Sequence, residues 1–202
     1  DARDSEAVAR LYAAKGRPSF NPLIVHVPDL AAAEALVVFD ETARVIAQAF
    51  WPGAVTLVLP LRPDAGMSPL VTAGLDTLAI RVPDHPVALG LLRAFGGPVA
   101  APSANLSGQV SPTKAAHVAA QMTGLIDGIV EGGDCAVGVE STILATQPVP
   151  TLLRAGGLPV EAIEVCFGQA LVLAGDSAAP TSPGQLASHY APKGSVRLNA
   201  VD

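Results

Sequence analysis

The spacing of apolar residues follows two different periods along the chain, and these predict helices that alternate with strands. Apolar positions three and four apart indicate amphipathic helices, whereas short continuous apolar runs indicate strands buried on both faces. The first pattern predicts helices at residues 5–14, 30–36, 41–50, 86–95, 113–122 and 160–167. The second predicts strands at residues 55–59 and 78–82, and further short segments rich in strand-forming residues predict strands at residues 23–27, 98–101, 126–130, 139–144 and 151–153.

Residues with special backbone preferences mark the ends of these segments. Ser5 is predicted to cap the first helix and Gly16 to end it. Ser111 and Pro112 are predicted to open the helix that begins at Thr113, since Pro is favoured in the first helical turn. Helices that alternate with buried strands indicate an α/β sheet fold.

Composition narrows the class of protein. Half of the 202 residues are apolar and 15% are charged, which indicates one domain with a sizeable core. The net charge of −6, without a run of Lys or Arg, argues against an extended nucleic-acid surface but leaves room for a local cationic pocket. Cys135 and Cys166 lack metal-site spacing and are predicted to be small buried hydrophobes in a reducing compartment. No apolar run reaches membrane-spanning length, so a soluble cytoplasmic protein is expected.

Two cations lie close together just after the first predicted helix. Pro18 disfavours the helical conformation at Arg17, so an extended Arg17 and Lys15 can project to one side and bind a polyphosphate. The alternative is an ordinary helix end, with Lys15 in the last turn and Gly16 after it. Both interpretations are open from local sequence.

Hydroxyl and amide groups follow two predicted strands. Ser103 and Asn105 fall on one side of a loop that could bind phosphate or ribose, although a local turn is the commoner role for such residues. Ser141 lies beside Gly138 and Glu140 but outside the Gly-x-Ser-x-Gly pattern of a hydrolase nucleophile, so a binding role is favoured.

Two arginines and a histidine lie in or beside predicted strands. Arg81 needs a partner in an otherwise apolar run, either a carboxylate ligand or a structural ion pair. Arg154 is either a phosphate contact or a solvated strand end, and His26 is more often a core histidine than a catalytic one. Without an acid/base pair, a nucleophile with its base or a metal cluster, such a set of residues favours catalysis by positioning.

The tail from residue 174 onward has no apolar periodicity, which is typical of a linker. It nevertheless carries the segment Ser-His-Tyr-Ala-Pro at residues 188–192, which a pure linker rarely needs.

Six segments, taken in order, resemble the L-threonylcarbamoyladenylate synthases of the YrdC-like family over nearly the whole chain: KGRPSFNPLIVH, TLAIRVP, APSANLSG followed by SPT, GVESTI, LLRAGG and SHYAP. The resemblance implies a twisted, open mixed sheet with flanking helices and a large concave cavity. It also implies that L-threonine, bicarbonate and ATP, accompanied by Mg²⁺, give threonylcarbamoyl-AMP and pyrophosphate for tRNA modification. Residues 1–172 would form the catalytic domain, and residues 173–202 a cavity-closing linker toward a C-terminal domain.

The resemblance also assigns site residues by motif. Those implied to contact ATP are Lys15, Arg17, Asn21, Thr77, Ser103, Asn105, Ser111, Arg154 and Tyr190. Those implied to hold L-threonine are His26, Arg81, Ala101 and Ser141. Lys15 and Arg17 would neutralise phosphate charge, Arg81 would pair with the threonine carboxylate, and no residue is assigned to a metal.

One departure and two alternatives accompany the resemblance. The family pattern opens with a strand and a Pro-Thr-Glu-Thr-x-Tyr-Gly-Leu segment, which the printed sequence does not contain. A non-catalytic RNA-binding module of the same fold is one alternative, and its predicted mark is salt-dependent RNA affinity without ATP turnover. A carbamoyl-adenylate-forming domain of hydrogenase maturation is the other, and it would use carbamoyl phosphate.

Overall fold

The computed structural model describes residues 1–174, which contain seven strands and seven helices. The strands are β1 (Ile24–His26), β2 (Val55–Pro60), β3 (Thr77–Arg81), β4 (Val99–Ala100), β5 (Thr142–Ala145), β6 (Thr151–Arg154) and β7 (Val172–Leu173). The helices are α1 (Ser5–Lys15), α2 (Leu30–Glu34), α3 (Glu41–Phe50), α4 (Pro69–Thr72), α5 (Pro86–Phe95), α6 (Ala115–Met122) and α7 (Val160–Phe167). The expected α/β class is confirmed.

All seven strands belong to one mixed sheet with the order β4-β1-β3-β2-β5-β6-β7. Strand β1 runs parallel to β3 and antiparallel to β4, while β2 runs antiparallel to β3 and parallel to β5. Parallel neighbours need crossover connections, and helices of the chain supply them. The mixed sheet with flanking helices agrees with the expectation from the resemblance.

The core lies around the central strands β2 and β3. Every residue of β2 except the last is buried, and so are the three central residues of β3. This confirms that the two continuous apolar runs are strands covered on both faces. Helix α1 packs against α4, and α3 packs against α7 with Ile46 and Ile163 fully buried. The packing of helices on the sheet removes a large apolar area from water, which is the main favourable contribution to folding.

The N-cap of helix α1 is Asp4, one residue before the predicted Ser5. The carboxylate of Asp4, rather than the hydroxyl of Ser5, accepts hydrogen bonds from the N–H groups of Glu6 and Ala7, at 2.9 and 3.1 Å. These two bonds lower the pKa of Asp4. Gly16 ends the helix in the left-handed conformation, with φ of 57°, as expected for a residue at this position.

The segment around residues 111–141 differs most from the prediction. Helix α6 begins at Ala115 rather than Thr113, because the N–H of Thr113 donates to the ring of His117 and its carbonyl accepts from Cys135. Residues 126–130 form no strand and β5 begins at Thr142, not at residue 139. Residues 126–130 and 139–141 pair with no strand of the sheet, and Val139 is 66% exposed.

Three further features depart from the sequence-based expectation. Cys135 and Cys166 are both exposed rather than buried, because one lies in the open loop and the other on the outer side of α7. The short helix α4 and the edge strand β7 were not predicted, since four and two residues are too few to show a period. Among residues 1–174, no helix is long and apolar enough to cross a membrane.

Candidate active site

A cavity of about 190 Å³ lies where the ends of β1, β3 and β6 meet the loops that precede β5 and follow β4. Its walls combine three guanidinium groups, one carboxylate, two hydroxyls and an imidazole. The lining residues are Arg17, Ile24, His26, Arg81, Ala101, Pro102, Ser103, Glu140, Ser141 and Arg154. This set includes all four residues implied to hold L-threonine and three of those implied to contact ATP.

The sheet register explains why distant sequence motifs meet here. Strands β1 and β3 are parallel, and their last residues His26 and Arg81 are direct partners. The N–H of Ala101, which follows β4, donates to the carbonyl of Ile24 at 3.1 Å. Side chains at the carboxyl ends of parallel strands therefore converge, which is the common position of ligand sites in α/β sheets.

Arg17 is oriented by the loop that follows α1. Gly16 turns the chain, and the Arg17 side chain then donates to the carbonyls of Asn21 and Pro22, at 3.3 and 2.8 Å. The residue is 9% exposed, so its charge lies at the inner wall of the cavity. A planar guanidinium held in this way is pre-organised to bind a phosphate or carboxylate.

Lys15 does not line this cavity but lies behind one of its walls. Its ammonium donates to the carbonyls of Ser103 and Asn105, which ties the end of α1 to the loop after β4. Burial, followed by the charge of Arg17, lowers the pKa of Lys15 to about 8, while Glu140 acts in the opposite direction. The helix-end interpretation is confirmed, because Lys15 lies in the last turn of α1 and Gly16 follows it, whereas a contact between Lys15 and an anion stays a prediction.

Arg81 has no carboxylate within ion-pairing distance among residues 1–174. Its Nε donates to the carbonyl of Gly53 at 2.7 Å, which fixes the side chain and leaves the rest of the guanidinium facing the cavity. Burial lowers the pKa of Arg81, whereas Asp84 and Glu140 raise it. The described part of the chain thus provides no structural ion pair for Arg81, and a carboxylate ligand would satisfy it.

Ser141 and Arg154 form a second fixed wall. The Arg154 side chain donates to the Ser141 carbonyl from Nε and Nη2, at 3.2 and 2.8 Å, and Nη2 lies 3.3 Å from the Ser141 hydroxyl. That hydroxyl also lies 2.7 Å from the hydroxyl of Thr56. Gly156 packs so closely that a Cβ there would lie 2.4 Å from backbone atoms of Ser141 and Thr142. Only glycine allows this approach.

His26 is neutral in the folded protein. Burial, followed by the charge of Arg81, lowers its pKa from 6.5 to about 3, and the Ile24 carbonyl only partly opposes this shift. Its Nδ1 atom is buried and has no hydrogen-bond partner among residues 1–174. The neutral ring can therefore donate or accept a hydrogen bond with a ligand in the cavity without adding charge.

A larger cavity of about 320 Å³ adjoins the first one and shares Ser103 and Glu140 with it. It lies between α6 and the loop before β5, and apolar side chains including Val118, Ile129 and Val139 form much of its wall. Ser111 lines it as well, and its hydroxyl donates to Glu140 Oε1 at 2.6 Å. The two cavities are therefore neighbours, one with a charged lining and one with a largely apolar lining.

Four predicted ATP contacts lie outside both cavities: Lys15, Asn21, Thr77 and Asn105. Thr77 begins β3 whereas Arg81 ends it, so the two lie about 13 Å apart along the strand. Asn105 forms a local turn through bonds from Nδ2 to the carbonyls of Leu106 and Gln109. Asn21 is 1% exposed, and neither its Oδ1 nor its Nδ2 has a partner among residues 1–174. Tyr190 lies outside the described residues.

Glu140 is the charged lining residue of the smaller cavity to which the sequence assigned no role. It is the one acid among the described residues that line the smaller cavity. The signal was present, because Glu140 lies within the GVESTI segment beside Ser141. Among residues 1–174, no group of three or more His, Cys, Asp or Glu side chains could hold a metal ion.

Two family models match the chain. The Sua5/YciO/YrdC model, described as telomere recombination, matches residues 1–156. A second, described as the C-terminal domain of threonylcarbamoyl-AMP synthase, matches residues 158–202.

Curated relatives and solved structures agree with these matches. The chain is 53% identical to threonylcarbamoyl-AMP synthase of Bacillus subtilis, with 95% of this chain and 57% of the relative covered. It is 44% identical to the enzyme of Pyrococcus abyssi, with 97% and 59% covered. The crystal structure of P. abyssi Sua5 complexed with L-threonine superposes with a TM-score of 0.90 at 43% identity, over 95% of this chain and 58% of that one.

Escherichia coli YciO shares the fold, with a TM-score of 0.71 at 22% identity over 81% of this chain and 79% of that one. The chain spans less than three fifths of the two curated relatives named above. Because the first family model matches residues 1–156, the chain belongs to the Sua5/YciO/YrdC family.

Proposed function

We propose that this chain carries the site that forms L-threonylcarbamoyl-AMP and pyrophosphate from L-threonine, bicarbonate and ATP. The observation that carries the proposal is a pair of neighbouring cavities, one rich in guanidinium groups and one largely apolar, that share Ser103 and Glu140 in their walls. Relatives named threonylcarbamoyl-AMP synthase, one of them crystallised with L-threonine, support it.

The smaller cavity suits an amino acid. Its volume of about 190 Å³ is below the ~300–1,000 Å³ of sites for drug-sized ligands. Arg81 would pair with the threonine carboxylate, and neutral His26, the Ala101 backbone and the Ser141 hydroxyl would hold the rest of the molecule. The buried guanidinium explains why a carboxylate would bind strongly, because hydrogen bonds between charged groups are about twice as strong as neutral ones.

The larger cavity suits a nucleotide base and ribose, since its apolar wall can cover a flat ring. Ser103 and Ser111 would contact ATP there, and Arg17 and Arg154 would reach its phosphates from the smaller cavity. Lys15 would add charge from behind the wall. The roles of Asn21, Thr77, Asn105 and Tyr190 in ATP binding remain predictions from the resemblance.

The chemistry would then need little covalent participation by the protein. The threonine ammonium loses a proton to solvent, and the free amine and bicarbonate condense to a carbamate with loss of water. The carbamate oxygen then attacks the α-phosphorus of ATP and expels pyrophosphate. Arg17 and Lys15 would offset charge on the phosphates, which is how phosphoryl and nucleotidyl transfer is commonly catalysed. Mg²⁺ would enter with the ATP phosphates, because it usually binds through substrate oxygens and few protein carboxylates.

The wider setting follows from this reaction. The product would supply the threonylcarbamoyl group for adenosine modification in tRNA, with tRNA or modification proteins as partners and the cytoplasm as the compartment. We place the catalytic site in residues 1–172 and assign residues 173–202 the role of a cavity-closing segment toward a C-terminal domain.

Pyrophosphate release from ATP tests the proposal. The protein should release pyrophosphate only when L-threonine and bicarbonate are both present, and Arg81→Ala should weaken L-threonine binding by about 2–3 kcal/mol, or 30- to 150-fold. Arg93→Ala is the matched control, because Arg93 is an exposed residue of α5. Release without threonine, or with carbamoyl phosphate in place of threonine and bicarbonate, would overturn the proposal.

A further inference from the structure

The charges that line the smaller cavity are unequal in number. Arg17, Arg81 and Arg154 each contribute a positive charge, His26 is neutral, and Glu140 contributes the one negative charge among the described lining residues. This balance suits anionic ligands, but it opposes the entry of a cationic group unless that group reaches the carboxylate.

Glu140 is held in a defined position at the border between the two cavities. Its backbone carbonyl accepts a hydrogen bond from the N–H of Gly157 at 2.7 Å. Close packing of Gly156 against residues 140–142 leaves this backbone little freedom to move. Oε1 of the carboxylate accepts a hydrogen bond from the Ser111 hydroxyl at 2.6 Å. This bond fixes the side chain, and an ionised carboxylate, which has about four acceptor sites on its two oxygens, can also accept from a ligand.

An amino acid enters such a cavity as a zwitterion. Its carboxylate can pair with Arg81, but its α-ammonium then lies among guanidinium groups, where each like-charge contact is unfavourable. Neutral His26 can accept a hydrogen bond but supplies no opposite charge. Within residues 1–174, the lining of this cavity offers one group of opposite charge to an ammonium, the carboxylate of Glu140.

We propose that Glu140 binds the α-ammonium group of the amino-acid substrate and thereby determines its selectivity for amino acids over hydroxy acids. The inference rests on the proposed function, because it assumes that the smaller cavity takes the amino acid. Arg81 then binds the carboxylate end of the zwitterion and Glu140 binds its ammonium end. Together they orient the nitrogen that is later incorporated into the carbamate.

This assignment also gives the border position a purpose. The amine nitrogen of threonine bonds to the carbon that bicarbonate supplies. The resulting carbamate must then reach the nucleotide in the adjoining cavity. A carboxylate shared by both cavities would hold the nitrogen near that junction. Orientation of reacting groups is the main contribution that such a site can make.

The test compares L-threonine with (3R)-3-hydroxybutyrate, which keeps the carboxylate and the hydroxyl but lacks the amine. Binding of each compound to the complete protein is measured by isothermal titration calorimetry for the unaltered protein, Glu140→Gln, Glu140→Asp and Glu161→Gln. Glu161 lies on the exposed side of α7 and is the matched control. Circular dichroism confirms that each variant is folded.

The unaltered protein and Glu161→Gln should bind L-threonine at least about tenfold more tightly than the hydroxy acid. Glu140→Gln should lose about tenfold or more of its L-threonine affinity without loss for the hydroxy acid, and Glu140→Asp should recover part of it. Equal losses for both compounds, or an unchanged L-threonine affinity, would overturn the role of Glu140 alone. Failure of the unaltered protein to bind L-threonine would overturn this inference together with the proposed function.

Discussion

Acidification provides a sharp test of the environment of His26. In the folded protein its pKa is lowered to about 3, whereas the unperturbed value is 6.5. Between these two values the unfolded chain binds a proton at this position and the folded chain does not. The stability that His26 contributes is therefore present above pH 6.5 and is lost as the pH falls below it.

The expected size of this loss follows from the two pKa values. Between pH 7 and pH 5 the unfolded histidine becomes almost fully protonated, while the folded one stays neutral. Proton linkage then gives a loss of about 2 kcal/mol in the free energy of unfolding from this residue alone. His26→Gln keeps a polar side chain but cannot be protonated, so it should remove this part of the pH dependence.

Urea unfolding at pH 7 and pH 5, followed by the fluorescence of Trp51, measures the effect. Trp51 is the single tryptophan and packs edge-on against Phe39, so its emission should report the loss of the core. The decrease in unfolding free energy between the two pH values should be about 2 kcal/mol smaller in His26→Gln than in the unaltered protein. His117→Gln, which replaces an exposed histidine, is the control and should keep the full decrease. Equal decreases in the unaltered protein and His26→Gln would refute the reasoning.

Two further substitutions test the packing around the site. Gly156→Ala should lower the free energy of unfolding by about 2 kcal/mol or more, because its Cβ would overlap backbone atoms that cannot move away. Urea unfolding measures this loss, and Gly128→Ala is the control, because a Cβ at that position meets no atom within 4 Å. Tyr12→Phe should cost about 1 kcal/mol in the same measurement, since it removes a buried hydroxyl that lies 2.8 and 3.0 Å from the backbone carbonyls of Asn21 and Leu70. An unchanged stability would contradict either prediction.

The pattern of apolar residues predicted much of the fold, because a strand that is buried on both faces is a continuous apolar run in the sequence. The runs that became β2 and β3 are continuous and apolar, and the structure buries them at the centre of the sheet. The segment at residues 126–130 contains three β-branched residues, but Asp127 and Gly128 interrupt it and no strand of the sheet pairs with it. The sequence shows where strand-forming residues cluster, whereas the tertiary arrangement decides whether such a segment has a neighbouring strand with which to form hydrogen bonds.

The candidate site was predictable where a single charged residue in an apolar segment required a partner of opposite charge. An arginine in an apolar strand needs a partner, and Arg81 lines the cavity without an ion pair in the described part of the chain. Glu140 was missed because its significance depends on which charges surround it. Three guanidinium groups from separate segments meet around this carboxylate, and that arrangement exists only after the strands have paired.

The measurement that tests the central claim most directly is the identity of the nucleotide product. The complete protein would be incubated with ATP, Mg²⁺, L-threonine and ¹³C-labelled bicarbonate, and the nucleotides would be resolved by mass spectrometry. The account predicts an AMP adduct that contains both threonine and the labelled carbon, and it predicts that omission of either substrate abolishes this adduct. An adduct without threonine, or no adduct from a protein that still binds ATP, would contradict it.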